Sequence, residues 1–127
     1  MSMPKDQERA VELIGQAMQH QMAQEFDRAI RLYKESIELY PTADAHTYLG
    51  WAYSFKGRLD DAIPWLERAK NAKRYEPRHF PYINLGRVYL TKGMLQKAIE
   101  EFNGSLKINP SDTELAELVE ELLNKLH

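Results

Sequence analysis

The chain has 127 residues, of which 43% are hydrophobic and 28% charged, a composition that suits one soluble domain. Its formal net charge is −2, whereas nucleic-acid-binding domains are usually clearly basic, so nucleic acid is not an expected partner. Cysteine is absent, which excludes disulfides and thiolate metal sites, and no apolar run approaches the roughly 20 residues of a membrane span. The segment Met1–Ala10 lacks the apolar core of a secretory signal, so we expect a cytoplasmic protein with no membrane partner.

Two amphipathic helices are predicted over the first third of the chain, because apolar residues recur there at intervals of three or four. The first stripe consists of Val11, Ile14, Ala17, Met18 and Met22. The second stripe consists of Phe26, Ala29, Ile30, Tyr33, Ile37 and Tyr40. Pro41 is predicted to end the second helix, since its ring cannot continue the hydrogen-bond ladder.

Two further helices are predicted in the middle of the chain. Thr42 is a suitable N-cap for the third helix, because its hydroxyl can accept a hydrogen bond from a free N–H of the first turn, and Gly57 ends that helix. The fourth helix is predicted over Leu59–Arg74, where Pro64 predicts either a mild kink or a later start.

The last third predicts three more helices. Pro77 and Pro81 flank the start of the fifth, and the sixth is predicted over Leu95–Ile108, where Gly104 has no evident purpose. Ser111, with a glutamate three residues later, matches a capping box for the seventh. The apolar stripe of this last helix consists of Leu115, Leu118, Val119, Leu122 and Leu126, and its other face is acidic. Such a helix suits the end of an open helical stack.

The middle of the chain repeats itself at an interval of thirty-six residues. The identical pairs are Leu49/Leu85, Gly50/Gly86, Tyr53/Tyr89, Lys56/Lys92, Gly57/Gly93, Leu59/Leu95, Ala62/Ala98 and Ile63/Ile99. Self-similarity at this period indicates stacked helix pairs, because one pair cannot bury its apolar stripe alone. Short connections between helices require neighbours to lie antiparallel.

This pattern resembles the tetratricopeptide repeat family, in which Leu-Gly-x-x-Tyr is followed by Gly, by Ala-x-x-x-aromatic and by Pro. The third repeat shows the whole pattern, in Leu85, Gly86, Tyr89, Gly93, Ala98, Phe102 and Pro110. The first repeat departs from it, since Gln16-Ala17 stands where the family has Leu-Gly. The resemblance implies an all-α, right-handed α-solenoid of three antiparallel helix pairs over about residues 10–42, 43–78 and 79–112, with a capping helix over about 112–126.

The small residues of the pattern have a packing explanation. Gly50 and Gly86 let a partner helix approach closely, and Leu66 and Phe102 are predicted to fill the space between helix pairs. We assign these residues to stability rather than to recognition.

No motif of catalysis, metal binding or cofactor binding was found in the sequence. The histidines are His20, His46, His79 and His127, and none has a second ligand at helical spacing. Phosphate-binding loops and nucleophile turns are absent as well. We therefore expect a protein that is not an enzyme and holds neither a metal nor a cofactor.

In the family that this chain resembles, the first helix of each pair lines a concave groove where peptides bind. The resemblance implies a groove lined by Ile14, Met18, Gln21, Met22, Asp44, Thr47, Tyr48, Trp51, Ser54, Phe55, Phe80, Ile83, Asn84, Arg87 and Thr91. The strongest candidates among them are Ile14, Met18, Met22, Thr47, Tyr48, Trp51, Ile83, Asn84 and Arg87. Phe55 and Phe80 are expected to be core residues instead. The expected partner is a protein or peptide, because tryptophan, tyrosine and arginine dominate interface energies.

One subtype of the family binds the C-terminal carboxylate of chaperones with lysine, asparagine and arginine side chains. The corresponding positions here are Ile14, Met18, Tyr48, Phe80 and Asn84, which include no cation. We therefore predict that this chain does not bind chaperone tails through such a clamp. The alternative is a homo-oligomer, in which the apolar groove accepts a second copy of the chain.

Charge is also distributed unevenly along the chain. The segment 68–78 holds five cations and one acid, and the segment 111–127 holds five acids and one lysine. A charged segment is usually only a solvated face. The more specific hypothesis is that the basic segment docks an acidic partner or the closing helix of another copy.

Overall fold

A computed structural model describes residues 4–72 and 78–126 and shows seven α-helices there. The first four are α1 (Lys5–Met22), α2 (Phe26–Leu39), α3 (Ala43–Phe55) and α4 (Leu59–Ala69). The last three are α5 (Phe80–Thr91), α6 (Leu95–Ile108) and α7 (Thr113–Lys125). Residues 73–77 of the basic segment, which include Pro77, lie outside the described residues, as does His127.

The helices form three antiparallel pairs that stack in chain order, followed by one closing helix. The closest packing is within the pairs α1/α2, α3/α4 and α5/α6, and each second helix then contacts the first helix of the next pair. The helices α3 and α5 also contact each other, so the first helices of two pairs lie side by side. This is the all-α helical repeat that the sequence predicts.

Glycines set the spacing of the second and third pairs. A Cβ atom added at Gly50 would lie 2.5 Å from Leu66 Cγ, and one added at Gly86 would lie 2.3 Å from Phe102 Cε1. Leu66 and Phe102 are almost fully buried against these backbones. The predicted packing role of the two glycines is therefore confirmed.

The first helix of each pair ends in the same turn. The second residue after the helix has positive φ in all three cases, at 62° for Gln24, 81° for Gly57 and 77° for Gly93. In each turn two backbone N–H groups bond back to the last carbonyls of the helix. The first repeat thus folds like the others, although it places a glutamine where the other two have glycine.

The buried face of α1 differs from the predicted stripe. The structure buries Ala10, Leu13, Ala17 and Gln21 against the core, whereas Val11 is 49% exposed and Met22 is 84% exposed. Two stripes with the same helical spacing lie side by side on this helix, and periodicity alone did not select between them. The small alanines let α2 pack closely on the narrower stripe.

Three predicted helix boundaries need correction. α4 begins at Leu59 and continues through Pro64, so there is no later start, and it ends at Ala69, where the last turn tightens into i→i+3 hydrogen bonds. The N-cap of α7 is Asp112, whose carboxylate accepts a hydrogen bond from the N–H of Leu115 at 3.1 Å. The Ser111 hydroxyl instead bonds to Asn109. The predicted cap of α3 is confirmed, since Thr42 Oγ1 accepts from the N–H of Ala45 at 3.1 Å.

The close contact at Gly86 makes its replacement costly. We expect Gly86→Ala to lower the free energy of unfolding by about 1–3 kcal/mol, because Phe102 must shift to admit the methyl group. The matched control is Gly15→Ala in α1, where an added Cβ meets nothing within 4 Å. There the free energy of unfolding should rise by about 0.5–1 kcal/mol, because alanine favours helix. Thermal melts compare both variants, and equal melting temperatures would contradict the packing described.

The turn at Gln24 carries strain that glycine would remove. We expect Gln24→Gly to raise the free energy of unfolding by about 1 kcal/mol, because a left-handed backbone is unfavourable for residues with a Cβ. The control is Ala23→Gly. Because Ala23 has a φ of −83°, this substitution should not raise the free energy of unfolding. Chemical denaturation measures both. A loss of stability in Gln24→Gly would mean that the glutamine side chain supports this turn.

Candidate functional site

One open cavity lies between α3 and α5, on the side of the stack where these two helices meet. Its volume is about 270 Å³. Its lining is Thr47, Tyr48, Trp51, Phe80, Ile83, Asn84 and Arg87. Six of the nine strongest sequence candidates are therefore brought together in one place.

The residues that line this cavity, together with the neighbouring Phe55, form the surface that we call the wall, and contacts between aromatic rings fix its shape. The Tyr48 ring stacks on the buried Tyr33 with centroids 6.0 Å apart, and Trp51 meets Phe55 edge-on at 5.0 Å. The Thr47 hydroxyl donates to the carbonyl of Ala43 at 2.8 Å, so it is satisfied within its own helix. Trp51 keeps 37% of its surface exposed, which leaves a large apolar ridge facing the solvent.

Two polar side chains project from α5 into this apolar wall. Asn84 Nδ2 donates to the carbonyl of Phe80 at 2.9 Å, an arrangement that turns the amide along the helix. Arg87 is exposed, and the part of the chain that the structure describes offers its guanidinium no acid within ion-pair distance. A second cavity begins beside it, lined by Trp51, Ser54, Phe55, Leu59, Asn84, Arg87, Val88 and Thr91. Arg87 is the one charged residue among the described lining of both cavities.

The candidates on α1 do not join this cavity. Ile14 is half-buried against the core and lines a separate depression with Tyr40, Thr42 and Asp44. Met18 is 37% exposed on the same helix. Met22 lies beyond it and lines a third cavity, which is shared with Trp51 and Phe55.

Phe55 and Phe80 are not the core residues that the sequence analysis expected. Phe55 is 56% exposed and Phe80 is 39% exposed, and both line cavities of the wall. Sequence reasoning also missed Phe26, which it assigned to the core of α2. Its ring stacks on Phe55 at 5.8 Å and lines the third cavity. Its position could have indicated this, because Phe26 is the first residue of α2 and a side chain there lies beside the end of the preceding helix rather than in the middle of the core.

The electrostatics of the wall are weak outside Arg87. Burial raises the pKa of Asp44 at the start of α3. Burial also raises the pKa of Tyr48, and the nearby Asp44 charge adds to this effect. Both shifts reflect a low-dielectric surface rather than an arrangement of catalytic groups.

Two cations of the basic segment are engaged by this chain itself. Lys70 contacts Glu101 at 2.8 Å and Glu67 at 3.3 Å. Burial alone would lower the pKa of Lys70, but the hydrogen bonds and charges of these two glutamates outweigh it and raise that pKa. Arg68 stacks over the ring of Trp65 at 4.7 Å. Neither side chain supports the hypothesis of a basic docking patch, and Lys73 and Arg74 lie outside the described residues.

Within residues 4–72 and 78–126, no group of three histidine, cysteine, aspartate or glutamate side chains could hold a metal ion. Across the same residues, no helix combines the length and apolar character needed to cross a bilayer.

The stacked pairs and the exposed wall define a helical repeat protein with an open side. The sequence pattern of the tetratricopeptide repeat family matches residues 14–77 and again residues 81–112. The chain belongs to the tetratricopeptide repeat family.

Known proteins support this assignment at different levels. The chain is 33% identical over 88 residues to the BBSome complex member BBS4 of Bos taurus, which covers 68% of this chain and 16% of that protein. It is 28% identical over 113 residues to the small glutamine-rich tetratricopeptide repeat-containing protein 2 of Mycosarcoma maydis, which covers 86% of this chain and 31% of that protein. The chain therefore spans less than a third of either relative.

Among solved structures, the fold is similar to the first tetratricopeptide repeat domain of Spaghetti (RPAP3) bound to an HSP90 peptide, SRMEEVD. The TM-score is 0.84, with 94% of both chains covered and 16% sequence identity. A likeness at this identity establishes the fold alone.

A buried histidine, His46, lies in the first turns of α3, the helix that carries Trp51. His46 Nδ1 donates to the carbonyl of Thr42 at 2.6 Å, and its ring lies 5.8 Å from that of Trp65. Burial lowers the pKa of His46 from its usual 6.5; the hydrogen bond to Thr42 opposes this and the Arg68 charge adds to it. The folded protein therefore binds this proton less readily than the unfolded chain.

This linkage predicts a loss of stability in mild acid. The contribution of His46 to the free energy of unfolding is fully present above pH 6.5, which is the pKa of a histidine in the unfolded chain. This contribution falls as the pH decreases below that value. The free energy of unfolding should decline between about pH 7.5 and about pH 5.5, and His46→Gln should flatten that decline. Denaturation across this range measures the slope, with His79→Gln as the control at a less buried histidine. Equal slopes in the two variants would contradict the assignment.

Proposed function

We propose that this chain is a protein-interaction module that binds a segment of a partner protein along the wall between α3 and α5. Domains of the tetratricopeptide repeat family generally mediate protein–protein interaction. The observation that carries the proposal is the exposed aromatic ridge of Trp51 and Phe55, which lies beside the unpaired Arg87 in an open cavity.

Burial of this ridge by a partner supplies the driving force. A tryptophan that is 37% exposed at the centre of a groove loses its remaining water contact when a peptide covers it. Large aromatic and arginine side chains in such positions dominate measured interface energies. The wall holds no paired catalytic groups, so the proposal includes no enzymatic step.

The proposed binding mode does not use a chaperone-type carboxylate clamp. At the positions of that clamp the structure has half-buried Ile14, exposed Met18 and the stacked ring of Tyr48, followed by Phe80 and Asn84. These side chains offer apolar surface and one amide to a ligand. None of these five side chains is cationic, so the clamp positions themselves offer a terminal carboxylate no ion pair to replace its water shell.

Self-association is the second candidate function. Leu123 and Leu126 on the closing helix are 42% and 47% exposed, next to the acidic face of α7. The wall of a second copy, with Arg87 in it, offers a surface of complementary character. Such a contact would be heterologous and would generate open chains of molecules rather than a closed dimer.

Replacement of Trp51 tests the proposal. We expect Trp51→Ala to reduce capture of partner protein from the native extract by on the order of tenfold or more, because a central aromatic anchor is removed. Ile108→Ala is the matched control, because Ile108 is exposed to the same 37% but lies at the end of α6. Circular dichroism verifies that both variants fold. Equal capture by the two variants would refute binding at the wall.

Two further measurements separate the alternatives. Light scattering over a range of concentrations should give a constant mass if the chain is a monomeric interaction module. Self-association instead predicts a mass that rises with concentration in the wild type and not in Trp51→Ala.

The peptide SRMEEVD should show no micromolar binding to this chain. Micromolar binding that disappears when its C-terminal carboxylate is amidated would demonstrate a clamp.

A further inference from the structure

We infer that the partner segment carries an internal carboxylate side chain and a large apolar side chain about three residues apart. This chain binds the two side chains in two separate subsites. The inference rests on the proposed function and specifies the ligand of the same wall. The subsites lie on opposite sides of the Trp51–Phe55 ridge.

The charged subsite is centred on Arg87. Both cavities between α3 and α5 are lined by this arginine, and none of their described lining residues is acidic. Two other arginines of the described surface are paired with acids, Arg9 with Glu12 and Arg58 with Asp61. An unpaired guanidinium beside apolar walls selects a carboxylate, because the forked N–H groups match its two oxygens and the low dielectric strengthens the pair.

The apolar subsite is the third cavity, at the end of the first pair. Its volume is about 220 Å³, and its lining is Gln21, Met22, Gln24, Phe26, Trp51 and Phe55. No lining residue is charged, and Met22 is 84% exposed above the stacked rings of Phe26 and Phe55. The flexible methionine can fold over an inserted apolar side chain.

Gln21 places a buried polar side chain on the lining of this cavity. The residue is 6% exposed, and its Oε1 accepts a hydrogen bond from the Tyr33 hydroxyl at 2.7 Å. Its buried Nε2 has no hydrogen-bond partner anywhere in the described chain. A buried donor without an acceptor is unfavourable, so a small movement of this side chain toward the cavity would let a peptide carbonyl accept a hydrogen bond from it.

The geometry sets the spacing of the two ligand groups. The apolar cavity lies between the first pair and α3, and the Arg87 cavities lie between α3 and α5, so the subsites are one helix apart. Packed helices have axes about 10 Å apart, and an extended chain advances about 3.3 Å per residue. A segment that crosses the ridge therefore spans about three residues between its apolar and acidic side chains.

This recognition differs from that of a carboxylate clamp because the acid is a side chain within the segment. The test uses immobilised peptides that are acetylated and amidated at their ends, so that no terminal charge is present. Each has a glycine and serine background with one phenylalanine and one glutamate, separated by spacings from one to about six residues in either order. Matched peptides replace the glutamate with glutamine or lysine.

We expect wild-type protein to bind best when the spacing is about three residues, with about tenfold weaker binding of the glutamine peptide. Arg87→Gln should abolish the difference between glutamate and glutamine peptides. Arg28→Gln, an exposed arginine on α2, changes the net charge equally and should keep that difference. Met22→Ala should weaken glutamate and glutamine peptides alike, because Met22 lines the apolar subsite and neither of the Arg87 cavities. Raising salt should weaken only the glutamate peptides.

The outcomes separate this inference from the proposed function. Equal binding of glutamate and glutamine peptides, or no dependence on spacing, would overturn the two-subsite inference while leaving a peptide-binding wall. Failure of every peptide to bind would also overturn it. The capture experiment with Trp51→Ala would then decide separately whether a partner protein binds at the wall. Persistence of the glutamate preference in Arg87→Gln would assign the carboxylate to another residue.

Discussion

The close approach of paired helices at two glycines is the constraint on which the rest of the structure depends. At Gly50 and Gly86 the backbone of one helix touches the side chain of its partner, with no room for a methyl group between them. This contact fixes which face of α3 and of α5 is turned inward. Because a helix repeats every 3.6 residues, fixing the inner face also fixes the face that remains outside. The exposed positions of Trp51 and Arg87, each one residue after its glycine, follow from this register.

The same argument explains how much the sequence could predict. The glycines, the capping threonine and the repeated spacing carry strong local signals, and they were sufficient for the helix order. The candidate groove residues on α3 and α5 came instead from the resemblance to the family. The α1 stripe was wrong because Leu13 and Ile14 are both apolar, and only contact with α2 decides between adjacent stripes. Ser111 and Asp112 are both good N-cap residues, and the position of the last helix against α6 determines which of them is used.

Other features depended on contacts between distant residues. Gly104 had no explanation in the sequence, yet a Cβ atom there would lie 2.6 Å from Cδ1 of Tyr82 on α5. Phe26 has the spacing of a core residue, and its partial exposure arises because Phe55 from α3 stacks on it. Lys70 was counted with a basic patch, although two glutamates on α4 and α6 neutralise it. A single sequence shows residue types in order, but it does not show which of them meet across the stack.

The first repeat gives the wall its particular character. It departs from the family pattern at several positions, with Ala17 in the place of a motif glycine and Gln24 in the place of the turn glycine. Its fold is nevertheless held by the same helix-terminal turn and by the Tyr33–Gln21 hydrogen bond inside the core. Because α1 departs from the family pattern, its exposed side carries methionines where a carboxylate clamp would need polar and cationic side chains. Arg87, on the third pair, is the one charged residue that lines the two cavities between α3 and α5 and the cavity beside Met22, so the wall is apolar at one end and cationic at the other. A ligand that satisfies both ends must therefore be asymmetric along its length, and this polarity fixes the direction in which it lies across the ridge.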